Sequence, residues 1–199
     1  MVMKGDRMRE IIAALQVSVD GFIEGPGGAI DWIEAWEDPF EVMTDVDMLM
    51  LGGRMYPGYE EYWSAVQGDP NGILPFTGRT PTPAEVAYAD FAARTPHVVL
   101  SSTLTQARWP HTRIVSSLDA IRQLKEQPGR SIHAVGGASF VSSLFNHALV
   151  DELRLVVIPI ALGQGKALFQ ALHQRQQLHH LEVKRLAGDV VRLVYRLRR

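Results

Sequence analysis

Three short apolar runs in this chain stop abruptly at small residues. They are Met48–Leu51 before Gly52-Gly53, the strand His97–Ser101, whose Val99-Leu100 meets Ser101-Ser102, and Ile132–Val135 before Gly136-Gly137. Apolar runs of this length without polar alternation read as strands buried on both faces, the pattern of a parallel sheet. Parallel strands need long crossovers, usually helices. Helical stripes are present where such crossovers would lie: Ala84, Ala87, Tyr88, Phe91 and Ala92; Leu118, Ile121 and Leu124 behind a Ser117 cap; and Phe140, Val141, Leu144, Phe145 and Ala148. Further strands are expected at Glu10–Val19, Arg113–Val115 and Leu153–Ile158. Leu181–Leu186 and Val190–Leu197 flank Ala187-Gly188-Asp189, a hairpin signal. Strand–helix units followed by a hairpin predict an α/β fold. Its sheet is mostly parallel and mixed, covered by helices on both faces, with a C-terminal antiparallel hairpin.

Asp31–Met43 carries Trp32, Ile33, Trp36, Phe40 and Met43 near helical spacing, with Pro39 starting a fresh turn. Arg54–Val66 is expected to be helical after Pro57. The longest irregular stretch, Gly68–Pro83, is a lid or a plain insertion. No repeat, low-complexity tract or linker appears in the 199 residues. The organisation expected is a disordered lead-in over residues 1–8 and a single domain over residues 9–199.

The chain has no cysteine, which excludes disulfides, thiolate metal sites and a cysteine nucleophile. Seven histidines show no metal-ligand spacing, so no metal site is expected. The formal net charge of −2 gives no global attraction to nucleic acid or an anionic membrane. Residues 175–199 hold seven bases and two acids. Arg192, Arg196 and Arg198 alternate with Val191, Leu193, Tyr195 and Leu197, which reads as the solvent face of a half-buried strand. The N-terminal residues lack a signal-peptide pattern, and Leu155–Leu162 is too short to span a membrane. A cytoplasmic protein is expected.

In open α/β sheets, ligands gather at the carboxyl ends of the strands. Glycine there lets backbone approach a phosphate, and the following helix points free N–H groups at the anion. Arg54 can grip a phosphate with its planar fork while Ser102 donates to the same group. Neither the dinucleotide fingerprint nor the nucleotide phosphate loop occurs in its standard spacing.

The ordered set Ile12-Ala13-Ala14-Leu15, Asp20-Gly21-Phe22-Ile23, Gly53-Arg54-Met55-Tyr56, Leu100-Ser101-Ser102 and Val135-Gly136-Gly137-Ala138-Ser139-Phe140 resembles dihydrofolate reductase. It is closer still to the reductase domain of the bifunctional riboflavin-biosynthesis enzyme and its stand-alone bacterial relatives. Pro159–Gly165 followed by Leu168-Phe169 is similar to a late signature of that branch. The resemblance runs from about Arg9 to Arg199. It implies a three-layer dihydrofolate reductase-like fold and an NADPH-dependent reductase of a small heterocyclic, pterin- or pyrimidine-like substrate. The other reading is a non-catalytic nucleotide-binding or scaffold homodimer that keeps the fold. A homodimer pairing through the late strands is implied either way.

Residue by residue, the resemblance assigns the nicotinamide carboxamide to the backbone of Ala14 and Ile23. It assigns the pyrophosphate and adenosine 2′-phosphate to Gly53, Arg54, Met55 and Tyr56. Ser101, Ser102 and Thr103 match the adenosine-side loop, and Gly136, Gly137, Ala138, Ser139 and Phe140 the turn and helix start under the pyrophosphate. Ser139 departs from the family, since dihydrofolate reductases often carry an arginine there. Hydride transfer to a C=N bond also needs a proton, which a carboxylic acid of raised pKa can supply. The candidates are Asp20, in a Ser-x-Asp-Gly motif similar to the riboflavin-type one, and an acid among Glu37, Asp38 and Glu41. An Asp-Gly turn capping its own backbone is the alternative for Asp20. Trp32 is a candidate wall for a planar substrate.

Overall fold

Ile11–Ser18 is apolar except at Gln16 and Ser18, and seven of its eight residues are buried. In the computed structural model, which describes residues 8–33, 38–74 and 77–198, this run forms β1. The chain continues through β2 (Phe22–Glu24), β3 (Val46–Gly52), α1 (Tyr56–Gly68), α2 (Pro83–Arg94), β4 (His97–Leu100), β5 (Thr112–Val115) and α3 (Leu118–Glu126). There follow β6 (Ser131–Val135), α4 (Ala138–Asn146), β7 (Glu152–Ile158), β8 (Lys166–Ala167), β9 (Leu178–Arg185) and β10 (Val191–Leu197). The fold is α/β, with a mostly parallel mixed sheet and a C-terminal antiparallel hairpin. No helix among the described residues is long and apolar enough to cross a membrane.

The chain divides into two compact units, each assembled from discontinuous stretches. The first comprises Met1–Arg9 and Ala35–Ile132, the second Glu10–Glu34 and His133–Arg199. One crossing falls inside β6, so no composition shift announces it.

In the first unit β3, β4 and β5 run parallel, with Gly52 opposite Leu100 and Leu100 opposite Val115. An aromatic cluster joins its helices to its strands. The Trp63 and Tyr88 rings lie 4.5 Å apart, the Tyr59 and Tyr88 hydroxyls are 3.0 Å apart, and His97 stacks on Trp109 at 5.2 Å. Glu60 accepts from the backbone N–H groups of Arg108 and Trp109 at 2.6 Å, tying the loop before β5 to α1.

Thr82 and Glu85 close a reciprocal capping box at the start of α2. Glu85 is only 3% exposed and also takes a bidentate ion pair from Arg79 and a hydrogen bond from Tyr62. Burial pushes its carboxyl up, but these donors outweigh it and hold the group at about 2. Leu74 is buried as well. The described part of Gly68–Pro83 is thus pinned at two points. Pro75 and Phe76 lie outside the described residues.

In the second unit the strand order is β6-β1-β7-β10-β9. β1 and β7 are parallel from Ile12 opposite Glu152 to Ser18 opposite Ile158. β7 and β9 both pair antiparallel with β10, with a bulge at Val194/Tyr195. A separate ribbon pairs β2 with β8.

Three expectations need correction. The described parts of Asp31–Met43 are turns and loop, not helix. Asp38 and Glu41 have φ of 44° and 52°, outside helical space, and the Asp38 carboxylate accepts from the Val42 and Met43 N–H groups. Trp36 and Glu37 lie outside the described residues. Met8 is not part of a loose lead-in, since it forms a bridge with Pro128; residues 1–7 are outside the described set. Finally, Arg192 does not face solvent. It is 3% exposed and donates to Glu182 at 2.7 Å. Arg192 and Val194 are the buried positions of β10, while Val191, Leu193, Tyr195 and Leu197 are half-buried. The ion pair with Glu182 compensates the buried charge, so hydropathy alternation alone names the wrong face.

Two outcomes test this packing. Glu85→Gln keeps the capping box but removes the charge of the Arg79 pair, and is expected to lower the urea unfolding free energy by about 2 kcal/mol through loss of those charge-assisted bonds. Burial also pushes the His97 imidazole down to about 4, from an ordinary value of 6.5. The unfolded chain therefore takes up that proton first, and stability falls as pH drops from 6.5 toward 4, by about 3 kcal/mol from this residue. In His97→Phe, urea midpoints over this window should fall less steeply. A slope equal to the wild type would refute the assignment.

Candidate functional site

Each unit carries its own set of candidate residues. In the first, β3 and β4 end side by side, so the two residues past Gly52 and Leu100 leave from one edge. Gly53 donates its N–H to the Leu100 carbonyl at 3.0 Å. A Cβ on Gly53 would sit 2.4 Å from the Ser101 side chain, so only glycine allows this approach. Ser101 Oγ accepts from the N–H groups of Leu104 and Thr103 at 3.0 and 3.3 Å, and its hydroxyl shapes the turn. Arg54, Met55, Ser102 and Thr103 are exposed. Arg54 makes no ion pair or hydrogen bond among the described residues. Tyr56 is core. Its hydroxyl donates to Glu60 at 2.7 Å, and burial pushes its pKa to about 12.

In the second unit, α4 begins at Ala138 after Gly136-Gly137, and no side chain caps its first turn. The leading N–H groups of a helix are unsatisfied within it and carry partial positive charge. Ser139 is exposed and the Phe140 ring folds back against Gly136. Ala14 lies buried in β1 and Ile23 buried in β2. Trp32 is half-buried in a turn, its indole N–H donating to Ala29 at 3.2 Å.

The two candidate acids are both engaged by donors. Asp38, in the first unit, caps the backbone as described above. Asp20 receives the Ser18 hydroxyl at 2.6 Å, the Gly163 N–H at 2.7 Å and the Leu162 N–H at 3.1 and 3.2 Å. The Ser18 and Gly163 donors hold its pKa below the ordinary carboxylate value. Such a group is ionised at neutral pH and has no proton to give there. Leu162 and Gly163 belong to the Pro159–Gly165 stretch, which sequence reasoning marked as a signature without a role. The Ser-x-Asp-Gly spacing was the available signal, since an aspartate beside a turn glycine seeks backbone donors. The Glu24–Lys166 ion pair, at 2.7 and 2.8 Å, was not foreseen. No cluster of metal-ligating side chains occurs among the described residues.

Over its length the chain is similar to known proteins. It is 31% identical over 197 residues, 95% of each chain, to the uncharacterized protein YyaP of Bacillus subtilis. Among solved structures, a putative riboflavin biosynthesis protein from Shewanella superposes with a TM-score of 0.66 at 19% identity, over 96% of this chain and 99% of that one. Dihydrofolate reductase from Enterococcus faecalis, in complex with NADP(H) and RAB-propyl, superposes at 0.57 with 15% identity, over 96% and 97%. Residues 9–192 match the model of the RibD C-terminal domain, and the chain belongs to that family.

Proposed function

We propose that this chain is an NADPH-dependent reductase that delivers hydride to a small heterocyclic, pterin- or pyrimidine-like substrate. One observation carries the reading: an exposed arginine with no partner among the described residues, Arg54, leaves β3 at the position where Ser102 leaves the adjacent parallel β4. A cation and a hydroxyl on one edge suit a phosphate monoester such as the 2′-phosphate that separates NADPH from NADH. The uncapped N–H groups of α4 suit a pyrophosphate in the same chemistry. The cofactor would supply the hydride, and the backbone of Ala14 and Ile23 would hold the nicotinamide amide. The protonation state of Asp20 and the backbone bonds of Asp38 leave the proton to another source, such as water. They also favour the second reading, a nucleotide-binding homodimer without turnover.

A homodimer is part of the proposal. Its support is β9, which ends the strand order of its unit and exposes Leu181 by 44% and Val183 by 59%. An edge strand with exposed apolar residues is a template for pairing.

Fluorescence titration with NADPH and NADH tests the cofactor. Wild-type protein should bind NADPH saturably, below about a millimolar Kd. Arg54→Ala should weaken NADPH by about tenfold or more, through loss of a charge-assisted bond, and leave NADH unchanged. Absence of saturable NADPH binding would sink the reductase reading, and equal losses for both cofactors would remove Arg54 from 2′-phosphate recognition. Oxidation of NADPH by dihydrofolate or related pterins then separates a reductase from a binding protein. For the assembly, light scattering should give twice the chain mass, and Val183→Lys should halve it. A monomeric wild type would refute pairing.

A further inference from the structure

The Asp20 carboxylate sits at the surface, where an acid ordinarily points into water. Instead both of its oxygens are occupied. Oδ1 accepts the Ser18 hydroxyl at 2.6 Å and the Leu162 N–H at 3.2 Å, and Oδ2 accepts the Leu162 and Gly163 N–H groups at 3.1 and 2.7 Å. Ser18 is buried and its Oγ accepts the Phe22 N–H at 2.9 Å, so the hydroxyl links the start of β2 to the carboxylate. Three further contacts join the same two segments. Val19 N–H donates to Ile160 at 2.9 Å, Leu168 N–H donates to Gly21 at 3.0 Å, and Lys166 pairs with Glu24. Gly165 has φ of 145°, and a Cβ there would lie 2.1 Å from the Glu24 carbonyl oxygen. The Ile160–Leu168 segment is built to lie against the β1–β2 turn.

We infer that Asp20 is a positioning residue: its carboxylate clasps the Leu162–Gly163 backbone to the β1–β2 turn and thereby fixes β2, with Ile23, on the nicotinamide side of the cofactor site. The cofactor part rests on the reductase reading above. Ile23 lies between Phe22 and Glu24, whose partners in β8 are Ala167 and Lys166. Loosening the segment before β8 therefore loosens the strand that carries Ile23. Three donors converge on two carboxylate oxygens. An asparagine offers one oxygen and places an N–H₂ group against the remaining donors, so Asp20→Asn opens the clasp with almost no change in volume.

Amide hydrogen exchange reads the clasp directly, without any ligand. In Asp20→Asn the Leu162 and Gly163 amides should exchange about tenfold faster or more than in wild type, with the Val156 amide inside β7 unchanged. NADPH titration and steady-state kinetics read its consequence. If one molecule in ten keeps a closed clasp, the NADPH Kd rises about tenfold, while kcat at saturating NADPH stays within about threefold. A proton donor at Asp20 predicts the opposite split, unchanged Kd and collapsed kcat, and that result would overturn the inference. Unchanged exchange at Leu162 and Gly163 would overturn it as well. Failure of wild-type protein to bind NADPH defeats the reductase reading, and the exchange comparison still decides the clasp. Should Asp20→Asn not fold, Lys166→Met removes the second pin and leaves Asp20 in place. It should speed exchange across Lys166–Leu168, and wild-type rates there would count against a jointly held segment.

Discussion

The parallel pairing of β1 with β7 is the constraint on which the second unit depends. Seven consecutive register pairs, ending with Ser18 opposite Ile158, send both chains out at the same end of the sheet. Two residues later Asp20 meets the chain that has just left β7. The contacts at Leu162 and Gly163 thus span more than 140 positions in sequence yet need little loop ordering once the strands are paired, because the pairing already sets where both segments start. The apolar faces of Ile11–Val17 supply the driving force. The polar residues that follow inherit their positions from it.

The first unit applies the same device twice, in two adjoining parallel pairs. β3, β4 and β5 end in register at Gly52, Leu100 and Val115, and small or hydroxyl residues follow each end. The hydroxyls are divided between two tasks. Ser101 turns the chain by accepting from Leu104, and Ser117 caps α3 by accepting from Ala120. Among the described residues Ser102 and Arg54 have no such internal use, and both are exposed. Among the described residues the Arg54 side chain makes no ion pair or hydrogen bond, whereas the tail arginines Arg192 and Arg196 are held by Glu182 and Glu10.

Elements whose burial follows from hydropathy alone were legible in the sequence. β1, β4, β6 and β7, the α4 stripe and the closing hairpin all appear as single apolar periods, and packing realises those periods without competition. The sequence was misleading where a polar group is buried with a partner distant in the chain. Arg192 reads as solvent-facing because its partner Glu182 lies across a hairpin. Asp31–Met43 reads as helical because its aromatic spacing is helical, while the positive φ of Asp38 and Glu41 reflects turns whose only cue is polar side chains next to backbone donors. The division into two units left no trace in composition, because the chain passes between them more than once.

The candidate site shows the same limit at the level of chemistry. Ser-x-Asp-Gly singled out Asp20 and left open whether it carries a proton or a structural load. Those roles require opposite surroundings. A general acid at neutral pH needs apolar neighbours or a second anion to raise its pKa, as burial does for the Tyr56 hydroxyl, and must keep an edge free for the reacting atom. A structural carboxylate needs converging N–H and O–H donors, which lower the pKa and occupy both oxygens. Asp20 has the second environment in full, with donors from Ser18, Leu162 and Gly163. Sequence places one of these within two residues and the other two more than 140 residues away. The surroundings of Asp20 therefore follow from β1–β7 pairing, a feature of the sheet, rather than from anything the motif itself contains.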